Sequence, residues 1–282
     1  KNPVLHAGGG ILLAQASDEL ADLADFLDIP VPRTLMGLGC LPDNSPLMVG
    51  QTGFWGPVFT HSLTVNADVI LGLGTRFAEA DSSSWYRGVT FDPDHTEFLQ
   101  IDIDPMEIGR NYPVSIGAIG DLKLGLKQIL EEVKKICPEG KKNPELRAKI
   151  AKAKKAFKES NVAISTDGRF PMTLQRILHD VKAVVPEDAH IFTDVGWNKN
   201  GVAQQFDVNV PGTIHHSSGL ATMGFGASAV LGGKLAAPDK VCLTLTGDGG
   251  FGVNPTCLAT AVAQGIACPW VVMNNSPFGN LA

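Results

Sequence analysis

The sequence has no apolar run as long as the roughly 18 residues that suggest a transmembrane helix, so we expect no membrane partner. It also has no excess of positive charge. Its 29 acidic and 23 basic residues give a formal net charge of −6, and we expect no nucleic-acid partner because nonspecific binding has no electrostatic support. The 44% hydrophobic and 18% charged content is typical of a globular protein, and 282 residues are enough for two domains.

Cysteine is scarce and scattered. The five cysteines are Cys40, Cys137, Cys242, Cys257 and Cys268, and no two of them form a CxxC pair. An odd number of cysteines without metal-site spacing favours reduced thiols. The sequence therefore indicates a cytoplasmic protein.

Strand-like and helix-like patterns alternate along the chain. This alternation predicts the α/β class, with two doubly wound parallel-sheet domains. Strands are expected near 4–7, 29–37, 68–74, 98–103, 190–193, 213–215, 241–246 and 270–273. Helices are expected near 11–27, 57–65, 121–136, 172–185, 221–236 and 254–265.

A lysine-rich stretch at 134–160 lies between the two sets of elements. A nucleic-acid surface is one interpretation of it. The acidic balance of the whole chain favours the other, a solvated helix and linker between two domains. We therefore predict a Rossmann-like domain at 1–160 and a second domain at 161–282.

Polar residues follow two predicted strands of the second domain. Gly247-Asp248-Gly249 comes directly after the apolar segment 241–246, and Asn274-Asn275 comes after 270–273. Carboxylate and amide oxygens suit Mg²⁺, which often shares its ligands with phosphates. A turn at Gly247–Gly250 would let backbone amides approach a diphosphate closely. The alternative is an ordinary βαβ unit with a glycine turn and a polar strand end.

The combination of Gly-Asp-Gly and Asn-Asn at this spacing resembles the signature of thiamine diphosphate enzymes. The wider match is to their acetolactate-synthase-like branch. The segment Ser218 to Gly224 is similar to another glycine-rich segment of that family, and Ile101 to Gly109 is similar to part of its central domain. The resemblance covers essentially the whole chain and implies a central domain followed by a cofactor-binding domain.

The resemblance also implies a set of site residues. The side chains of Asp248 and Asn275 and the backbone carbonyl of Pro277 correspond to the Mg²⁺ ligands. Met223 corresponds to the apolar residue between the two rings of the cofactor, although a core methionine is the alternative. The other implied cofactor-binding residues are Val195, Gly196, Thr222, Gly247, Gly249, Gly250 and Gly279.

The first domain resembles the central domain that helps acetolactate synthase to bind FAD. Gly74-Thr75-Arg76-Phe77 matches that domain, but Ala78–Asp81 replaces the DRVTG that usually follows the arginine. We therefore expect FAD to be a candidate but not the favoured cofactor. Arg76 could bind a phosphate or take part in an ordinary ion pair. A non-catalytic module that binds FAD or ADP is the alternative from another functional class.

The resemblance implies a carboligase or decarboxylase that depends on thiamine diphosphate and Mg²⁺ and acts on a 2-oxo acid. Oxalyl-CoA decarboxylase-like, glyoxylate carboligase-like and sulfoacetaldehyde acetyltransferase-like activities are the alternatives. In this family the activating glutamate belongs to a pyrimidine-binding domain, which we expect to precede residue 1. We therefore expect this segment alone to be inactive, with no catalytic residue of its own, and the whole protein to be a homodimer or homotetramer.

Overall fold

The computed structural model describes residues 2–217 and 219–275. The chain divides into two compact units, Lys1–Lys158 and Glu159–Ala282. Each unit contains a parallel sheet with flanking helices, which confirms the predicted α/β class with two doubly wound sheets.

The sheet of the first unit has six parallel strands in the order β3-β2-β1-β4-β5-β6. The strands are Pro3–Ala7 (β1), Val31–Arg33 (β2), Met48–Gln51 (β3), Val69–Leu73 (β4), Glu97–Asp102 (β5) and Ile116–Ile119 (β6). The strand order reverses between β1 and β4. This reversal defines the switch point of a doubly wound sheet, where such folds bind their ligands.

Five α-helices accompany this sheet in the described part of the first unit and its boundary. They are Gly10–Leu13 (α1), Ser17–Leu27 (α2), Val58–Val65 (α3), Leu122–Ile136 (α4) and Pro144–Ser165 (α5), and a 3₁₀ segment spans Glu79–Trp85. The single helix predicted over 11–27 is wrong, because Gln15 adopts φ of 52° between α1 and α2, a left-handed conformation that a helix does not accept. Asp121 caps α4, since its side chain accepts a hydrogen bond from the Leu124 amide at 3.0 Å.

Both faces of the first sheet are covered. On β1, Leu5 packs into a cluster with Ile11 and Leu20, while the neighbouring Val4 packs into another with Phe98. Successive residues of a strand point to opposite faces. The largely apolar sequence of β1, in which His6 is also buried, is therefore expected of a strand buried on both sides.

The sheet of the second unit has four parallel strands in the order β10-β9-β7-β8. The strands are His190–Thr193 (β7), Ile214–His216 (β8), Cys242–Gly247 (β9) and Trp270–Met273 (β10). The helices are Leu174–Val184 (α6), Trp197–Gln205 (α7), Phe225–Ala236 (α8), Asp248–Val253 (α9) and Cys257–Gln264 (α10). The chain leaves β7 towards β8 on one side and reaches β9 on the other, so the switch point lies between β7 and β9.

Helix α8 packs closely on this sheet because small residues face it. A Cβ added to Gly233 would lie 2.1 Å from Cζ of Phe192, and one added to Gly226 would lie 2.9 Å from the carbonyl carbon of Thr193. This packing fixes where α8 begins relative to the carboxyl ends of the strands.

Candidate functional site

The ends of β9 and β10 bring the predicted metal ligands to one edge of the sheet. Gly247 and Met273 are paired in register on these adjacent parallel strands. Asp248 follows the first of them, and Asn274 and Asn275 follow the second. The prediction that both motifs lie at neighbouring strand ends is therefore confirmed.

The local structure around Asp248 differs from the predicted turn. Gly247 is the last residue of β9 and, with φ −78° and ψ 164°, also the extended residue before α9, which begins at Asp248. An acidic residue in the first turn of a helix is favoured by the helix dipole. Residues 247–250 therefore pass directly from strand to helix.

The donors at this edge fit a hard cation. One carboxylate, from Asp248, and one amide, from Asn275, are oxygen donors of the kind that Mg²⁺ binds. Asp248 is partly exposed and Asn275 is exposed, so a diphosphate could reach both. Pro277 and Gly279, predicted as a metal ligand and a diphosphate-lining residue, lie outside the described residues. Within 2–217 and 219–275, no cluster of three or more His, Cys, Asp or Glu could hold a metal ion.

A buried carboxylate lies beside this edge, at the switch point between β7 and β9. Asp194 follows the last residue of β7 and is fully buried. Its Oδ1 accepts hydrogen bonds from the amides of Val195 at 2.8 Å and Gly224 at 3.0 Å, and its Oδ2 accepts one from Gly226 at 2.9 Å. The family resemblance implied that the neighbouring Val195 and Gly196 bind the cofactor, but it did not single out Asp194.

Met223 lies immediately before the start of α8. Gly224, the N-cap residue of α8, has φ of 85°, which favours glycine. Met223 is 36% exposed, and Thr222 is exposed. Met223 is therefore not buried in the core of the described residues.

The loop after β7 carries the other predicted cofactor residues. Val195 and Gly196 are partly exposed, and Gly196 has φ of 122°, a conformation that requires glycine. The buried Asn198 donates from Nδ2 to the carbonyl of Leu245 on β9 at 2.8 Å. That hydrogen bond ties the first turn of α7 to the sheet, and it explains why an amide side chain is suited to this position.

The paired histidines of β8 lie on opposite faces of the sheet, as strand geometry predicts. Nδ1 of His216 lies 2.8 Å from Oγ1 of Thr193. Nε2 of His215 lies 3.0 Å from Nδ1 of His190, and its ring stacks on Phe192 with 4.5 Å between centroids. Burial lowers the pKa of His215 to about 4. His215 is therefore a neutral packing residue at neutral pH.

In the first unit, the glycine turn after β1 is packed against the turn after β4. The amide of Gly8 donates to the Leu73 carbonyl at 2.9 Å, and the amide of Gly10 donates to the Gly74 carbonyl at 3.1 Å. A Cβ added to Gly8 would lie 2.1 Å from the Gly74 oxygen. These two amides at the switch point are thus already bound within the protein.

The segment after β4 covers the ends of β2 and β3. The amide of Leu35 donates to Oδ1 of Asp81 at 2.8 Å, and the amide of Phe54 donates to the carbonyl of Ala80 at 2.9 Å. Arg76 is exposed. These amides would have to leave their present partners before they could bind a flavin diphosphate.

The structure also bears on the expectations about membrane-spanning helices and about the cysteines. No helix of the described residues is long and apolar enough to cross a membrane. All five cysteines are free thiols. The thiols agree with the reduced state expected from the cysteine pattern.

Two protein-family models match the chain. Residues 1–129 match the central domain of thiamine pyrophosphate enzymes, and residues 194–282 match the C-terminal TPP binding domain of the same enzymes. Thiamine pyrophosphate and thiamine diphosphate are the same compound. The two matches correspond to the central and cofactor-binding domains implied by the sequence motifs.

Curated relatives match nearly the whole chain. The probable acetolactate synthase large subunit of Methanocaldococcus jannaschii is 34% identical over 99% of this chain and 46% of the relative. That of Methanococcus aeolicus is 33% identical over 99% of this chain and 47% of the relative. The acetolactate synthase large subunit of Corynebacterium glutamicum is 32% identical over 99% of this chain and 44% of the relative. The chain spans about half the length of the curated relatives it matches.

Proposed function

Because this chain belongs to the thiamine pyrophosphate enzyme family, we propose that it forms the central and cofactor-binding parts of an acetolactate-synthase-like carboligase. The proposed cofactors are thiamine diphosphate and Mg²⁺, and the proposed substrate is a 2-oxo acid. The names of the relatives support this branch. They do not favour the oxalyl-CoA decarboxylase-like, glyoxylate carboligase-like or sulfoacetaldehyde acetyltransferase-like alternatives.

The observation that carries the proposal is the register of β9 and β10. Pairing of Gly247 with Met273 sets Asp248 and Asn275 at adjacent strand ends. In the proposed site, Asp248 and Asn275 hold Mg²⁺ against the diphosphate, and the Asp248 carboxylate offsets the charge of the ion. Pro277 completes the proposed metal ligands through its carbonyl, and Gly279 lines the diphosphate.

The other predicted residues have binding and orienting roles in this proposal. Thiamine diphosphate, when bound, supplies the carbanion chemistry, and the protein positions it. Met223, partly exposed before α8, would contact the cofactor between its rings, with Thr222 beside it. Val195, Gly196, Gly247, Gly249 and Gly250 would line the cofactor where strand ends and loops meet.

We infer that the whole protein is a cytoplasmic homodimer or homotetramer. The family resemblance assigns the activating glutamate to a pyrimidine-binding domain of a neighbouring subunit. A site shared between subunits would place the reaction at a subunit interface. The free thiols support the cytoplasmic assignment.

The test is consumption of pyruvate by the intact protein, with each cofactor supplied or withheld. We expect turnover only when thiamine diphosphate and Mg²⁺ are both present, with loss of activity on chelation and recovery on addition of Mg²⁺. Turnover without thiamine diphosphate would contradict the proposal. So would the absence of thiamine diphosphate binding in the presence of Mg²⁺.

A further inference from the structure

Asp194 joins two segments of the proposed cofactor site through one buried side chain. Its carboxylate accepts the amides of Val195, Gly224 and Gly226. The first belongs to the loop after β7, and the other two belong to the start of α8. No solvent competes for these hydrogen bonds, because Asp194 has 0% exposure. A carboxylate that accepts buried amides with both oxygens holds them more firmly than a neutral acceptor does.

Asp194 acts as the cap of α8 from a distant part of the chain. The N-cap residue of α8 is Gly224, which has no side chain to accept the first free amides of the helix. Asp194 supplies both acceptors instead, from 30 and 32 residues away. Met223 directly precedes Gly224, so its place in the site depends on this cap.

Asp194 also lies against the first turn of α9. A Cβ added to Gly250 would lie 2.7 Å from Oδ1 and from Cγ of Asp194. Only a residue without a side chain permits that approach. Gly250 is two residues after Asp248, the proposed metal ligand. The same carboxylate thus touches the helix that begins at Asp248 and the helix that begins beyond Met223.

We propose that Asp194 is a positioning residue that fixes the separation between Met223 and Asp248. This inference rests on the proposed function, in which Met223 contacts the rings of the cofactor and Asp248 holds the metal at its diphosphate. The cofactor spans both, so a shift of one relative to the other changes its bound conformation. Asp194 acts through Gly224, Gly226 and Gly250 and does not touch the reacting atoms.

Two variants disturb the contacts of Asp194 in different ways. Asp194→Asn keeps the size of the side chain but replaces one acceptor oxygen with an amide donor, which faces a backbone donor. Gly250→Ala keeps the carboxylate and forces a methyl group into its contact. Asp188→Asn is the control for the first variant, because Asp188 precedes β7 at the other edge of the sheet and pairs with Lys240 on the surface. Gly252→Ala is the control for the second, because a Cβ there meets nothing within 4 Å.

The measurement is kcat of the intact protein at saturating thiamine diphosphate and Mg²⁺, with circular dichroism confirming that each variant is folded. We expect kcat to fall about tenfold to a hundredfold in Asp194→Asn and in Gly250→Ala, with both controls unchanged. If Asp194 only stabilises the fold, saturation will restore normal kcat in the folded variants, and that result would overturn the inference. If Asp194→Asn does not fold, Gly226→Ala decides in its place, because a Cβ there would lie 2.9 Å from the Asp194 amide nitrogen and Gly226 is not among the proposed cofactor-lining residues. Absence of cofactor binding by the wild-type protein would instead overturn the proposed function, and this inference with it.

Discussion

The packing of α8 on the sheet leaves no room for a side chain at Gly226. A Cβ at this position would lie 2.9 Å from the Asp194 amide nitrogen, the Thr193 carbonyl carbon and Oγ1 of Thr244. Two of these three atoms belong to the backbone of the central strand and its end, which cannot move aside easily. A side chain at this position is therefore expected to destabilise the fold.

We expect Gly226→Ala to lower the free energy of unfolding by about 1–3 kcal/mol, the usual cost of overpacking. The control is Gly232→Ala on the same helix, where a Cβ meets nothing within 4 Å and alanine favours the helix over glycine. Urea unfolding followed by circular dichroism measures both. Equal stability of the two variants would show that α8 does not pack on the sheet as described.

His6 makes a prediction about pH. It is fully buried on β1, with Nε2 3.0 Å from Oγ1 of Thr52 and its ring stacked on Phe77. Burial lowers the pKa of His6 from 6.5 to about 3. The unfolded chain therefore binds one more proton than the folded protein between these values, and stability falls as the pH is lowered from 6.5 towards 3.

The variant His6→Gln removes this titration. Between pH 6 and pH 4, we expect the wild-type free energy of unfolding to fall more steeply than that of the variant, by about 1.4 kcal/mol per pH unit. The exposed His179→Gln is the control and should keep the wild-type slope. Parallel pH profiles for His6→Gln and the wild-type protein would show that His6 is not buried in the neutral form.

At the residue scale, sequence and structure differ in what they reveal. Asp248 and Asn275 are predictable because each follows an apolar strand in a known motif. Asp194 also follows an apolar strand, but its partners Gly224 and Gly226 are backbone amides 30 residues away. Backbone donors leave no side-chain pattern, so only the folded structure identifies this role.

At the scale of elements, strands with a clear apolar pattern are the most predictable. The strands His190–Thr193 and Trp270–Met273 have the predicted bounds, since a short apolar run between turn signals indicates a strand. This holds even for Trp270–Met273, which lies at the edge of its sheet. Two strands, Met48–Gln51 and Ile116–Ile119, were not predicted. They are the two edges of their sheet, and short edge strands carry little apolar pattern.

The segment Glu79–Trp85 after β4 leads to a prediction about flavin. The carbonyl of Ala80 accepts a hydrogen bond from the backbone amide of Phe54, and Oδ1 of Asp81 accepts one from the amide of Leu35. The amides of Gly8 and Gly10 are likewise bound within the protein. These four amides are therefore not available to a flavin diphosphate, whose charges must leave water.

We expect the intact protein to be colourless after purification and to turn over with thiamine diphosphate and Mg²⁺ alone. Absorbance spectroscopy after extensive desalting measures this directly, and addition of FAD followed by a second desalting provides the control. A stoichiometric flavin band that survives desalting would contradict the prediction. It would also show that the segment around Ala80 and Asp81 moves to admit the cofactor.

At the scale of the whole molecule, the motifs identify both domains, because a metal-diphosphate site uses few residue types at a fixed spacing. They do not identify the substrate. The proposed roles of the site residues are to bind and orient the cofactor, and none of them is assigned to the substrate. A single chain also carries no pattern for the subunit interface at which the proposed site is completed.

The central claim is that Asp248 binds Mg²⁺ and thereby the diphosphate of the cofactor. Loss of a residue that only supports a metal ligand costs about 10-fold to 100-fold in metal affinity, and loss of a direct ligand should cost at least as much. The matched control is Asp239→Ala, because Asp239 is exposed and lies before β9, at the opposite edge of the sheet from Asp248.

Isothermal titration of the intact protein with thiamine diphosphate, with and without Mg²⁺, tests the claim most directly. We predict that Asp248→Ala lowers the Mg²⁺-dependent affinity by about a hundredfold or more, while Asp239→Ala binds as the wild-type protein does. Unchanged, Mg²⁺-dependent affinity in a folded Asp248→Ala protein would contradict the account.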